Sequence, residues 1–124
     1  MIEKPFEQQI TFISTSDLNK TAHFYENILG LELVLDQGKC RICRTAGDAY
    51  LGYCESAGEI ASNQGVILTL VTEDVDIWYE RLKINGVDIK EPPSENPYYK
   101  IYHFFFHDPD GYLIEIQRFL HSFG

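Results

Sequence analysis

An internal repeat constrains this chain more than any other feature. Ile10-Thr-Phe-Ile-Ser-Thr-Ser-Asp17-Leu18, followed by a helical stretch to Ile28-Leu29-Gly30-Leu31, recurs as Ile67-Leu-Thr-Leu-Val-Thr-Glu-Asp74-Val75, followed by a helical stretch to Leu82 and Gly86-Val87. Each copy reads as a strand, a capped helix and another strand, and such self-similarity marks a duplicated structural unit. With 124 residues, 44% of them apolar, the chain can build one core but not two of ordinary size. A single domain over 1–124, in which the two copies share a core, is the expectation.

The same chemistry bounds both copies. Asp17 and Asp74 each follow a β-rich run and precede apolar residues at helical spacing: Leu18, Ala22, Tyr25, Ile28 and Leu29 in the first copy, Val75, Trp78, Tyr79 and Leu82 in the second. Both aspartates are expected to be N-caps, their carboxylates accepting from backbone amides that have no partner inside the helix. Gly30 and Gly86 stand just past the last turns, where a left-handed residue is cheapest in glycine. Three strand-like runs follow the first helix, at 31–37, 39–45 and 49–55, and three follow the second, at 87–90, 100–107 and 112–119. Asp108-Pro109-Asp110-Gly111 reads as a tight reversal. The expected order is βαβββ twice, with module 1 over about 8–55, a linker at 56–64 and module 2 over about 65–119.

A formal charge of −9, with no cluster of Lys or Arg, repels phosphate backbones and anionic lipid surfaces. Nucleic acid and membrane partners are therefore not expected. The start MIEKPFEQQ lacks the basic and apolar pattern of a signal peptide, and no apolar run approaches the roughly 18 residues of a membrane span, so a cytoplasmic protein is expected. In a reducing compartment Cys40, Cys43 and Cys54 are expected to be thiols, without a disulfide. Cys40 and Cys43 have the CxxC spacing, but alternation along KCRICR points them to opposite faces of a strand, away from a shared metal or redox role.

Two further strings carry a resemblance. Asp17-Leu18, His23-Phe24-Tyr25 and Leu29-Gly30-Leu31 resemble the first-module pattern of the vicinal oxygen chelate superfamily, which holds glyoxalases, bleomycin-resistance proteins and extradiol dioxygenases. His107-Asp108-Pro109-Asp110-Gly111, with Glu115 downstream, is similar to its closing signature, and the likeness spans about residues 8–119. The resemblance implies an α+β fold: two βαβββ modules forming a curved, mixed sheet of eight strands, with helices on the outer face and a concave ligand cavity. It also implies a homodimer, since members commonly pair isologously.

Members that use a divalent metal take ligands from the first and last strands of each module, typically His or Gln, Glu, His and Glu. Carried over position by position, these fall on Ile10 (or Gln9), Gly52, Val66 (or Ile67) and Glu115. Glu115 is the one firm match, and one carboxylate falls short of the three or more protein ligands of a divalent catalytic site. The expectation is a member without a metal cofactor that binds a small, partly apolar organic molecule and, if an enzyme, converts it by acid/base chemistry. The alternative is a lyase or dioxygenase holding Ni, Zn, Fe or Mn through Glu115, Gln9 and His103.

Strand alternation puts Glu115 on one face with Leu113 and Gln117, and Ile101, His103 and Phe105 on one face of the preceding strand. Counting outward from the turn sets Glu115 roughly opposite His103 or Ile101, which makes Glu115 and His103 the expected proton-transfer pair. Ile10, Phe12, Tyr50, Gly52, Val66, Phe105 and Leu113 are the expected ligand wall, with Tyr98 and Tyr99 as further aromatics. Arg41 and Arg44 have opposite parity, so at most one faces inward, to clamp a carboxylate or phosphate. His23, His107 and His121 read as structural or solvent-facing. No Gly-rich phosphate loop, nucleophile elbow or Ser-His-Asp set is present.

Overall fold

In the computed structural model, which describes residues 5–56 and 65–122, the repeat becomes two units of one build. Module 1 runs β1 (Gln9–Thr15), α1 (Leu18–Ala22), β2 (Glu32–Asp36), β3 (Cys40–Ala46) and β4 (Ala49–Glu55). Its sheet has the order β1-β4-β3-β2, with β1 parallel to β4 and the other pairs antiparallel. Module 2 repeats this as β5 (Ile67–Val71), α2 (Val75–Ile84), β6 (Ser94–Asn96), β7 (Ile101–His107) and β8 (Leu113–Phe119), in the order β5-β8-β7-β6. The fold is α+β, and its eight strands form two four-stranded mixed sheets, one per module. Of the expected linker, 57–64 lie outside the described residues.

Each sheet buries one face beneath its own helix. In module 1 this face carries Ile13, Cys43, Leu51 and Tyr53, packed with Phe24, Tyr25 and Leu29. The rings of Tyr25 and Tyr53 stack at 5.3 Å, and the buried hydroxyls of Thr15 and Thr21 meet at 2.7 Å, joining strand to helix. In module 2 it carries Phe104, Phe106, Ile114 and Ile116, packed with Val75 and Leu82. Burying such side chains contributes about 1.5–3 kcal/mol each, so these alternating positions select the strand register.

Several local expectations need correction. The first helix widens: after Ala22 it continues as a π-helix, His23–Ile28, closed by Leu29 N–H donating to the Phe24 carbonyl at 2.9 Å. Phe24 and Tyr25 are both buried on this wider turn. Asp17 caps as expected, accepting from Lys20 N–H at 3.1 Å, but the Asp74 side chain makes no cap bond. The Asp74 amide is instead held by Thr72 Oγ1, and its carbonyl accepts from Trp78 N–H.

The run at 87–90 is not a strand. Pairing with β7 begins only after Pro92 and Pro93, which lack N–H donors, at the polar segment Ser94–Asn96. The Asn96 side chain then accepts from Tyr98 and Tyr99 N–H, turning the chain into β7 through Lys100 at φ 57°. Cys40 and Cys54 are joined by a disulfide, against the expectation of thiols. They sit directly opposite on β3 and β4. The flanking bond from Glu55 N–H to the Lys39 carbonyl marks them as a non-hydrogen-bonded pair, the kind whose side chains approach closest.

Candidate functional site

Polar and reactive side chains gather on the face of each sheet turned away from its helix, here termed the distal face. In module 1 the strand register sets three rows across it: Ile10, Tyr50 and Arg44; Phe12, Gly52 and Ile42; Ser14, Cys54 and Cys40. The corresponding rows of module 2 are Ile67, Leu113 and His107; Thr69, Glu115 and Phe105; Val71, Gln117 and His103.

Glu115 is buried, 7% exposed, and its carboxylate is fully engaged. The turn into β8 explains its placement. The Asp108 carboxylate accepts from the amides of Asp110 and Tyr112, Gly111 takes φ 91°, and β8 leaves the turn with Leu113, Glu115 and Gln117 on the distal face. The register corrects one expectation: Glu115 stands opposite Phe105, while His103 stands opposite Gln117. His103 still reaches it along the diagonal, with Nδ1 2.6 Å from Oε2. Thr69 donates its hydroxyl to Oε1 at 2.9 Å. Gln117, in the orientation its hydrogen bonding requires, donates its amide to both oxygens at 3.1 and 3.2 Å.

Three side chains thus donate to one carboxylate, which supplies what a buried charge needs. A carboxylate only accepts, so Nδ1 of His103 carries the hydrogen of this contact and Nε2 is the ring's second nitrogen. Every buried side-chain nitrogen and oxygen among the described residues has a partner, and Nε2 has none, so it is not sealed from the surface. The Phe105 ring meets the imidazole edge-on at 5.1 Å and limits its rotation. The arrangement is an imidazole oriented through Nδ1 by a buried carboxylate, with Nε2 left toward the surface.

The other expected residues divide. Ile10, Phe12, Tyr50 and Gly52 share the distal face of module 1, and Phe105 and Leu113 that of module 2. Val66 precedes β5 and lies outside its pairing with β8, which sets Ile67 beside Leu113. Gln9 alternates with Ile10 and so falls with Thr11 and Ile13 on the helix side of β1. Tyr98 and Tyr99 are exposed on the turn before β7. His23, His107 and His121 are exposed. Thr69 and Gln117 were given no role by sequence reasoning. The parity that placed Gln117 beside Glu115 was the available signal for one, and the β5–β8 register, invisible in sequence, was needed for the other.

Arg41 and Arg44 do take opposite faces. Arg41 lies on the helix side, where it grips Glu26 through Nε and Nη2 at 2.7 and 2.8 Å and Asp36 at 2.9 Å, and the Tyr53 hydroxyl also donates to Glu26. The guanidinium holds the Glu26 carboxyl below its ordinary value, while burial pushes the Tyr53 hydroxyl and the Cys43 thiol up. Cys43 is consequently a poor nucleophile.

Paired βαβββ modules with a DPDG turn feeding a buried glutamate define the glyoxalase class of α+β proteins. The sequence profile of the Glyoxalase/Bleomycin resistance protein/Dioxygenase superfamily matches residues 8–116, and the chain belongs to that superfamily. No curated protein matches the sequence significantly. Among solved structures, a glyoxalase/bleomycin resistance protein/dioxygenase from Nocardioides is similar at TM-score 0.76 and 21% identity, covering 100% of this chain and 93% of that one. Lactoylglutathione lyase from Agrobacterium tumefaciens gives TM-score 0.72 and 21% identity over 93% and 96% of the two chains. TioX from Micromonospora gives 0.75 and 19% over 91% and 98%. At these identities the likeness speaks to the fold.

The superfamily implies a divalent metal in its enzymes, and the residues present do not fit one. Ile10 and Gly52 offer no donor atom, Glu115 is engaged by three donors, and His103 spends Nδ1 on Glu115. Among the described residues no group of three or more His, Cys, Asp and Glu stands together as a metal site.

Proposed function

We propose that the protein binds a small, partly apolar organic molecule without a metal and that His103 Nε2 exchanges a proton with it, Glu115 acting as the orienting carboxylate. The observation that carries this is the 2.6 Å contact of His103 Nδ1 with a buried Glu115, which leaves Nε2 free beside Phe105. Thr69 and Gln117 hold the carboxylate still, and Leu113 and Ile67 offer apolar surface in the next row. When Nε2 takes a proton, the imidazolium stays paired with Glu115, and the ring can return the proton to another atom of the substrate. Such positioned acid/base groups contribute about 10²–10⁴-fold.

The reading also makes the protein a homodimer that meets neither nucleic acid nor membrane, and in the cytoplasm, where it places the chain, Cys40 and Cys54 would stand reduced. In support, the charge is −9, no helix among the described residues is long and apolar enough to cross a membrane, and each sheet has edge strands of the kind usually paired or covered.

Native mass spectrometry of the purified protein should show a bound organic molecule and no stoichiometric Ni, Zn, Fe or Mn. On the molecule so identified, Glu115→Gln and His103→Asn should each cut turnover by about 100-fold or more with little change in melting temperature. Full activity in both variants, or activity lost with a stoichiometric metal on chelation, would remove this reading.

A further inference from the structure

The first row of module 1's distal face holds two hydrogen-bond donors that meet no acceptor among the described residues. Tyr50 Oη accepts from Gln8 Nε2 at 3.1 Å and from Arg44 Nη1 at 2.9 Å. Two incoming donors occupy both acceptor positions of the phenol, so its own O–H is left for an external acceptor. Arg44 spends Nε on Glu32 at 3.3 Å and Nη1 on Tyr50 and the Gly47 carbonyl, while Nη2 makes no hydrogen bond. The guanidinium carbon also lies 5.0 Å from the centre of the Tyr50 ring. The two donors are thus held against each other instead of swinging free.

An apolar platform adjoins them. Ile10 stands beside Tyr50 and is 41% exposed; Phe12, in the next row, is 54% exposed. The Phe12 ring lies over Gly52, where an added Cβ would come within 2.4 Å of it. Glycine at 52 is what allows an aromatic ring to rest on the sheet at that point.

We infer that this row of module 1 is a carboxylate site for an aromatic or other apolar acid. Its carboxylate takes Arg44 Nη2 and Tyr50 O–H, and its body lies on Phe12 and Ile10. Two fixed donors, one of them cationic, match the two oxygens of a planar carboxylate. Glu32 meets the guanidinium at Nε and leaves the Nη2 edge open. The site lies wholly within module 1 and does not depend on the His103 and Glu115 pair of module 2.

The probes are 1-naphthoate, its neutral analogue 1-naphthalenemethanol and inorganic phosphate, each titrated into the full chain and followed by amide chemical shifts. Naphthoate should move the Phe12 and Gly52 amides, bind about tenfold or more tightly than the alcohol, and resist displacement by phosphate. Arg44→Gln should weaken naphthoate about tenfold and leave the alcohol unchanged, and so should Tyr50→Phe, which keeps the ring and removes only the O–H. Equal affinity for acid and alcohol, insensitivity to both substitutions, or ready displacement by phosphate each overturns the inference. Failure of both organic probes to bind overturns it too, while the proposed function is judged separately by the co-purifying molecule and by the His103→Asn rate.

Discussion

The helix-side faces of the two modules are alike, and their distal faces are not. Under the helices, Leu51 and Tyr53 do in module 1 what Ile114 and Ile116 do in module 2, because each helix needs an apolar floor. On the distal faces, register-matched positions have diverged in kind. Gly52 stands where module 2 has Glu115, Phe12 where it has Thr69, and the Cys40–Cys54 disulfide where it has His103 and Gln117. Selection for a core constrains one side of a duplicated sheet and leaves the other free to specialise. Module 1 presents Ile10, Phe12, Tyr50 and Arg44 there, and module 2 presents His103 held against Glu115.

The contrast between faces can be broken by mutation. Leu51→Ala and Leu82→Ala, which empty core positions at 5% and 0% exposure, should each cost about 2–5 kcal/mol, read from urea midpoints. Ile10→Ala and Ile67→Ala, at 41% and 48% exposure on the distal faces, should cost less than about 1 kcal/mol. If Ile67→Ala proves as damaging as Leu82→Ala, the distal face is packed like a core and the distinction falls.

A second test concerns the third rows, one covalent and the other hydrogen-bonded. The disulfide spans a sequence separation of 14, for which loop-closure entropy gives about 3 kcal/mol. Reductant should lower the stability of the wild type by roughly that amount and leave a Cys40→Ser, Cys54→Ser double variant unmoved. Three titratable thiols in unreduced, unfolded protein, together with a midpoint indifferent to reductant, would show that the row is not covalent.

How far the sequence carried the reading follows the same division between faces. The repeat, both helices and seven of the eight strands were legible because burial writes a periodic apolar signal at positions such as Ile13, Leu82, Ile114 and Ile116. β6 was not legible, since Ser94–Asn96 pairs through its main chain and carries no apolar pattern. The π-turn was missed because it breaks the 3.6-residue period that revealed the helix. On the distal faces, parity found Glu115 and His103 and set them on one side. Their diagonal contact, and the roles of Thr69 and Gln117, depend on pairings between strands that lie far apart in sequence. The disulfide was not legible because the expected reducing compartment favours thiols and because Cys40 and Cys54 become neighbours only in the sheet.

The smallest expected effect lies where each module ties helix to sheet. Both use a tyrosine on a strand and a carboxylate on the helical segment, Tyr53 with Glu26 and Tyr102 with Asp76, but only module 1 adds the two-pronged grip of an arginine, Arg41. That grip, chiefly the hydrogen bond from Arg41, lowers the Glu26 carboxyl from its ordinary value of 4.5. A lowered value means that the folded chain binds this proton more weakly than the unfolded chain does. The stabilisation is therefore complete above about pH 4.5 and is lost as the pH falls through the folded-state value below it. Glu26→Gln keeps the shape and removes the charge, so it should cost about 1 kcal/mol at pH 7. The gap between variant and wild type should then narrow in acid, as Glu26 itself becomes protonated. Urea midpoints at pH 7 and pH 3 supply the comparison, with Asp76→Asn as the module 2 counterpart lacking the arginine. A gap that stays constant across this range would mean that Glu26 contributes through shape alone, and the two helix anchors would then be equivalent after all.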